Sequence, residues 1–176
     1  MFNDKVYEVL DICDYIIRKQ NDLDRPINPL RLHPYIYFTK ALFISLKNRK
    51  LFQEEMYAVD FGAIVPEVYY AFDGYSAMDI IVSNNKYRLG NPLFGDPVTS
   101  PSKIIKSDAV LIDQLLECLK RYSTSSLTNM IFNQDPWKDA HLWRRRPDDI
   151  MFCSSAKISD RAFRDYFRRK GNENLS

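Results

Sequence analysis

Asn28-Pro29-Leu30-Arg31-Leu32-His33-Pro34-Tyr35-Ile36-Tyr37-Phe38, continuing through Leu42 and Phe43 to Leu46, carries the strongest structural signal in the chain. Asn28 suits a helix N-cap. Pro29 suits the first helical position, where its missing N–H costs nothing. Leu32, Tyr35, Ile36, Leu42, Phe43 and Leu46 make the segment too aromatic for a surface helix, which places it at the centre of a core. Pro34 complicates this reading, because deep in a helix it removes a backbone bond and clashes with the preceding turn. Either the helix is kinked there, or a short turn precedes a helix that starts near Pro34.

Helical stripes flank this segment. Val6, Leu10, Cys13 and Ile17, with Ile16 beside them, predict a helix that Asp4 can cap, followed by a polar loop from Gln20 to Pro26. After a basic turn at Lys47–Lys50, Leu51–Tyr57 reads as a short turn or helix. Gly62 is a break, and Pro66 opens a short helix that Gly74 ends. Asp79–Leu89 predicts a small hairpin around Asn84-Asn85, and Gly90–Ser102 a long irregular loop carrying Phe94. Ser107 or Asp108 can cap a helix that buries Val110, Leu111, Leu115, Cys118, Leu119 and Tyr122. Thr124 or Ser125 caps another, with Leu127, Ile131 and Phe132. Asp135 as N-cap and Pro136 at the first position start a helix with Trp137. Ser159-Asp160 opens the last helix, with Phe163, Tyr166 and Phe167 on one side and Arg161, Arg164, Arg168 and Arg169 on the other. The expected fold is mainly α: one compact multi-helix domain over residues 1–176, with a small β-hairpin, a long irregular loop in the middle and a flexible tail at 171–176.

Composition narrows the function. With 176 residues, 45% of them apolar, the chain can build one core, which excludes disorder as a class. The 25 Lys and Arg nearly balance 23 Asp and Glu, unlike the strongly basic surface of a general nucleic-acid binder. Positive charge is concentrated from Trp137 to Lys170, with 10 basic and 5 acidic residues. That stretch is either a solvated helix face or a surface that steers an acidic partner. Cys13, Cys118 and Cys153 are odd in number and lack a C-x-x-C pair. They read as free thiols, with Cys13 and Cys118 in the core, in a reducing compartment. No signal peptide and no membrane-length apolar run is read, so the expected location is the cytoplasm, bacterial or that of a phage's host.

Catalytic templates fail. The chain has no phosphate-binding G-x-x-x-x-G-K-[ST], no G-x-S-x-G and no H-E-x-x-H, and its two histidines, His33 and His141, are far apart. The adjacent carboxylates Glu54-Glu55 and Asp148-Asp149 point apart and read as solvated. No catalytic, cofactor-binding or metal-ligating residue is assigned. Convergence of Asp60, Glu67 and His141 in a deep pocket would reopen the question. A nucleic-acid reading would need Arg144-Arg145-Arg146 and the last helix, whose Phe163 and Phe167 share a core-type stripe.

Several segments together resemble a known family. They are Asn28 to Phe43, Lys50-Leu51-Phe52, Tyr57 to Tyr69 with its Asp60-Phe61-Gly62-Ala63-Ile64-Val65-Pro66-Glu67 centre, Asp135-Pro136-Trp137-Lys138-Asp139-Ala140, and Ile158-Ser159 before an aromatic helix. In order and spacing they are similar to the Panacea domain of SocA-like, phage-associated antitoxins. The chain departs from that pattern at Ala63, where the family has Pro, at Pro34, and at Ile131-Phe132, where it has Thr-His. Asp79–Ser102 has no counterpart. The resemblance implies a helical, non-enzymatic domain that binds protein: a cognate toxin neutralised by direct contact, or a toxin delivered to a Clp-type protease. A phage or mobile-element protein that binds a host defence protein is the alternative, with nucleic acid and membrane as disfavoured partners.

Phe61, Gly62, Pro66, Glu67, Tyr69, Pro136 and Trp137 carry the family motif, and their roles read as mainly structural. The expected contact residues are Tyr70, Phe94, Trp143, Arg144, Arg145 and Arg146, since aromatics and Arg dominate interface hot spots.

Overall fold

The computed structural model describes residues 5–142 and 156–173. At its centre is helix α2, Pro29–Lys47. Leu32, Tyr35, Ile36, Tyr37, Thr39, Lys40, Ala41, Phe43 and Ile44 are buried on every side of it. A helix apolar all round must be enclosed, and α2 touches α1 (Val9–Asp22), α3 (Pro66–Phe72), α4 (Lys106–Leu119), α5 (Thr124–Phe132) and α7 (Asp160–Glu173). The Asn28 side chain accepts from the Arg31 N–H at 3.1 Å, and Asn48 closes the other end in a left-handed conformation. The helix begins at Pro29 and runs through Pro34 to Lys47, so Pro34 neither delays its start nor ends it. Pro34 lies in the second turn and deprives only the Leu30 carbonyl of a partner.

The first helix starts later than its apolar stripe suggested. Tyr7 bridges to Phe52, and α1 begins at Val9, whose N–H donates to Glu54 Oε1 at 2.9 Å. A carboxylate 45 residues away therefore caps it. The helix continues to Asp22, into the stretch read as loop.

Between α2 and α3 the structure has strands rather than a turn or helix. β1 (Met56–Val59) and β2 (Gly62–Ile64) pair antiparallel, Tyr57 opposite Ile64 and Val59 opposite Gly62, with Asp60-Phe61 as the turn. β5 (Lys157–Ile158) adds to the other edge of β1. Both faces of this small sheet are largely buried, so the polar alternation that marks a surface strand is missing. Gly62 sits at φ 151°, a conformation closed to other residues, so it is a hairpin residue rather than a simple break.

Further on, Asn84 and Asn85 both take left-handed conformations and turn the chain, with Ser83 and Lys86 bonded across them. The ladder itself is shifted: β3 (Tyr87–Leu89) pairs with β4 (Asp96–Val98), so the segment read as irregular loop supplies a strand. Gly74 lies in a 3-10 turn after α3, against the Gly90 carbonyl, where a side chain would collide. Ile105, with no side-chain cap bond, holds the N-cap position of α4 in place of Ser107 or Asp108, and the buried side of the helix runs through Asp108, Ile112, Leu116 and Leu119. Val110, Cys118 and Tyr122 are exposed, contrary to their expected burial, because that stripe is rotated from the one read in sequence. Cys13 is buried as expected. Ser123 caps α5, in place of Thr124 or Ser125. Asp135 is the first residue of α6 (Asp135–Leu142) rather than its cap. Ser159 Oγ accepts from Ala162 N–H at the start of α7, which extends through Gly171 to Glu173. No helix among the described residues is long and apolar enough to cross a membrane.

Three buried ion pairs staple these elements. Arg18 holds Asp14 at 2.7 Å and reaches the Asn85 side chain at 2.7 Å, fixing the Asn-Asn turn on α1. Arg49 and Tyr7 both bond Asp108, fixing α4. Lys40, 2% exposed, lies 3.3 Å from Asp160 and from the Glu54 carbonyl, over the Phe52 ring. Burial pushes the Lys40 ammonium below its ordinary pKa. Burial acts in the opposite sense on Asp160, but Lys40 and Lys50 outweigh it and hold the carboxyl below its usual value. Asp160→Asn strands the Lys40 charge and is expected to destabilise the fold by about 3 kcal/mol. Lys50→Met, which removes the solvent-side partner, should cost less than about 1 kcal/mol. Urea unfolding of the two variants checks the order.

Candidate protein-binding site

The β1–β2 turn, the first turns of α2, the inner side of α3 and part of α5 enclose a cavity of about 250 Å³. Its wall comes from Leu30, His33 and Pro34 of α2, the Phe61–Ile64 backbone and side chains, Tyr69 and Asp73, and Thr128 and Ile131. Helical spacing explains the α3 side, since Tyr69 and Phe72 face inward while Glu67 and Tyr70 turn to solvent. Two large apolar side chains of the lining stay exposed, Leu30 at 54% and Phe61 at 53%, and Tyr70, next to Tyr69 on α3, is 60% exposed. Tyr69 links the aromatic rings here, 6.4 Å from Phe61, 6.4 Å from His33 and 5.4 Å from Tyr70 by ring centroids. Burial pushes the His33 imidazole down to about 4, so it is neutral at physiological pH.

A second set of contacts fixes the hairpin. Trp137 Nε1 donates to the Gly62 carbonyl at 2.8 Å, and the indole packs between Phe132 at 4.5 Å and His141 at 4.3 Å. His141 Nε2 lies 2.9 Å from Asp60 Oδ1 at the turn. The Phe61–Tyr69 and Asp135–Ala140 blocks, 75 residues apart at this bond, are therefore one unit. Asp60 and His141 do meet, but at the surface, with the Asp60 side chain 72% exposed. Glu67 is exposed on α3 and joins neither, so the three do not share a deep pocket. Among the described residues no group of three or more His, Cys, Asp and Glu could hold a metal ion.

Of the residues singled out by sequence, Tyr70 does not line the cavity but packs at 5.4 Å against Tyr69, which does. Phe94 stands 86% exposed beside Leu93 at the tip of the β3–β4 loop, where the Asn91 side chain accepts from both their N–H groups. Trp143, Arg144, Arg145 and Arg146 lie outside the described residues. Within the motif, Gly62 and Pro136 are buried, Pro66, Tyr69 and Trp137 half-buried, and Phe61 and Glu67 exposed. Leu30 and His33 belong to the site although sequence reading did not select them. Leu30 in the first turn of an otherwise buried helix was the available signal. The Arg face of α7 is partly neutralised, Arg169 by Asp135 at 2.6 Å and Arg161 by Asp165 at 3.4 Å.

A family profile described as "Antitoxin SocA-like, Panacea domain" matches residues 35–138. No curated protein and no solved structure is significantly similar to the chain. The chain belongs to the SocA-like Panacea antitoxin family. This membership supports a non-enzymatic, antitoxin-like, protein-binding role.

Two measurements check the site's construction. Trp137→Phe loses the bond to Gly62 and should cost about 1–2 kcal/mol in urea unfolding, with faster amide exchange across β1–β2. His33 gains its proton near pH 6.5 when unfolded but only near 4 when folded. The unfolded state therefore binds more protons between these values, and stability falls as pH drops through that window. In His33→Phe the melting temperature should fall less over the same range.

Proposed function

We propose that this chain neutralises a cognate toxin by direct contact through the face around the cavity. One observation carries the reading: Phe61 and Tyr70 are more than half exposed, Phe61 on a hairpin tied to Trp137 and Tyr70 on a helix whose Val68 and Phe72 are buried. Exposing two large aromatics beside a preformed cavity costs solubility, and such a patch marks an interaction site. Both residues fall within the matched family segment. Leu93 and Phe94 form a second exposed apolar tip. A second contact point suits the adaptor variant, in which the toxin is handed to a Clp-type protease. A phage or mobile-element protein that binds a host defence protein would use the same face, and the neighbouring gene separates the two cases. The paired Arg side chains of α7 favour none of these over the others and do not favour nucleic acid.

The test is co-expression with the adjacent gene, with a tag on this chain alone. A small protein that arrests growth by itself should co-purify, and growth should return. The Phe61→Asp/Tyr70→Asp variant should lose both effects, with toxin binding reduced at least about 100-fold and an unchanged melting temperature. Toxin levels distinguish the mechanisms: they persist under direct neutralisation and fall in a protease-dependent way under delivery. Full rescue by the double variant would place the contact elsewhere.

A further inference from the structure

From Leu51 to Asn85 the sequence has six carboxylates and no Lys, Arg or His, although the chain holds 25 basic residues. The family-matched hairpin and α3 lie inside this stretch. Three of the six are committed within the fold. Glu54 caps α1 at 2.9 Å, Glu55 pairs with Lys157 at 2.8 Å, and Asp60 meets His141 at 2.9 Å. The other three, Glu67, Asp73 and Asp79, are exposed and have no ion pair among the described residues. Asp73 lines the cavity, and Glu67 lies one turn from Tyr70 on the outer side of α3.

The cavity adds a size and a chemistry. Its lining includes no Lys or Arg, and His33 contributes a neutral imidazole with no hydrogen bond among the described residues. At about 250 Å³ it lies below the roughly 300–1,000 Å³ of small-molecule sites, and its walls are mostly apolar. That volume suits one large side chain. Anionic partners, including phosphate backbones and acidic lipid surfaces, are repelled by the rim. A two-fold pair of this chain would set the same carboxylates against each other.

We infer that the site takes a cationic segment of a partner protein, with one large apolar side chain seated in the cavity and Lys or Arg on either side of it facing Glu67 and Asp73. The inference rests on the proposed toxin-binding reading for the face involved, and adds the chemistry of what docks there. Apolar burial supplies most of the affinity. The carboxylates set orientation and speed of encounter, so binding weakens as salt rises.

The test uses the full chain and a random peptide library displayed on phage, and needs no toxin. Selected peptides should carry one large apolar residue flanked by Lys or Arg. As synthetic peptides in fluorescence anisotropy they should bind less tightly at high salt. Glu67→Gln/Asp73→Asn should weaken them about fivefold, as expected for two exposed pairs. Ala77→Trp fills the mouth from an exposed position and should weaken them at least about tenfold. Melting curves confirm that both variants fold. Enrichment of neutral or acidic peptides, binding indifferent to Ala77→Trp, or no enrichment overturns the inference. Self-association that Ala77→Trp abolishes would also overturn it and assign the cavity to a second copy. Basic peptides with no co-purifying toxin would sink the toxin reading alone. A bound toxin with acidic or neutral peptides would sink the charge assignment alone.

Discussion

Helix α2 has no polar face, and the arrangement of every other element follows from covering it. Tyr35, Tyr37 and Phe43 are almost completely buried, and helices approach from several sides to enclose them. A helix so enclosed leaves no water for its one deeply buried amine. Lys40 therefore requires Asp160 and a backbone carbonyl, which docks α7 against the centre. Arg18 and Arg49 do the same for the Asn84-Asn85 turn and for α4. Each pair gains little over an apolar substitute but is costly to break, so these contacts select one packing among several that the apolar surface alone would permit.

The exposed apolar side chains are informative against that background. Core formation consumed most of the large residues, yet Leu30, Phe61 and Tyr70 stay at the surface around a cavity. The hairpin that presents Phe61 is held by the Trp137–Gly62 bond, and the first turn of α2, which presents Leu30, by its N-cap. The same motif thus builds the hairpin and displays its tip. Gly62 and Trp137 do the first task and Phe61 the second, while Tyr70 is exposed on the helix that follows.

Much of this was legible in the sequence. The N-cap and proline at Asn28-Pro29, the aromatic run that follows and the Pro66 helix start are local signals, and all three hold in the structure. What failed to show were features set by distant partners. Glu54 capping α1 from across the fold is invisible to local spacing, and so is β1–β2, whose burial on both faces erases the alternation of a strand. In α4, Ser107 and Asp108 both suit a cap by residue type, but the helix starts at Lys106, and Arg49 and Tyr7 bond Asp108 on its buried side. For the site, Tyr70 and Phe94 were selected as exposed aromatics. The cavity and His33 depend on elements that meet only after folding. Family resemblance located the hairpin block, and only the structure separated its buried members from its exposed ones.

Where the partner touches is the deciding question. Hydrogen exchange of the chain alone and in complex with the protein encoded beside it compares every backbone segment at once. Protection concentrated in Asp60–Phe72 and the first turns of α2, with little change along the exposed side of α7, is the predicted result. Protection confined to α7 or to the β3–β4 loop, with Asp60–Phe72 unchanged, would contradict it.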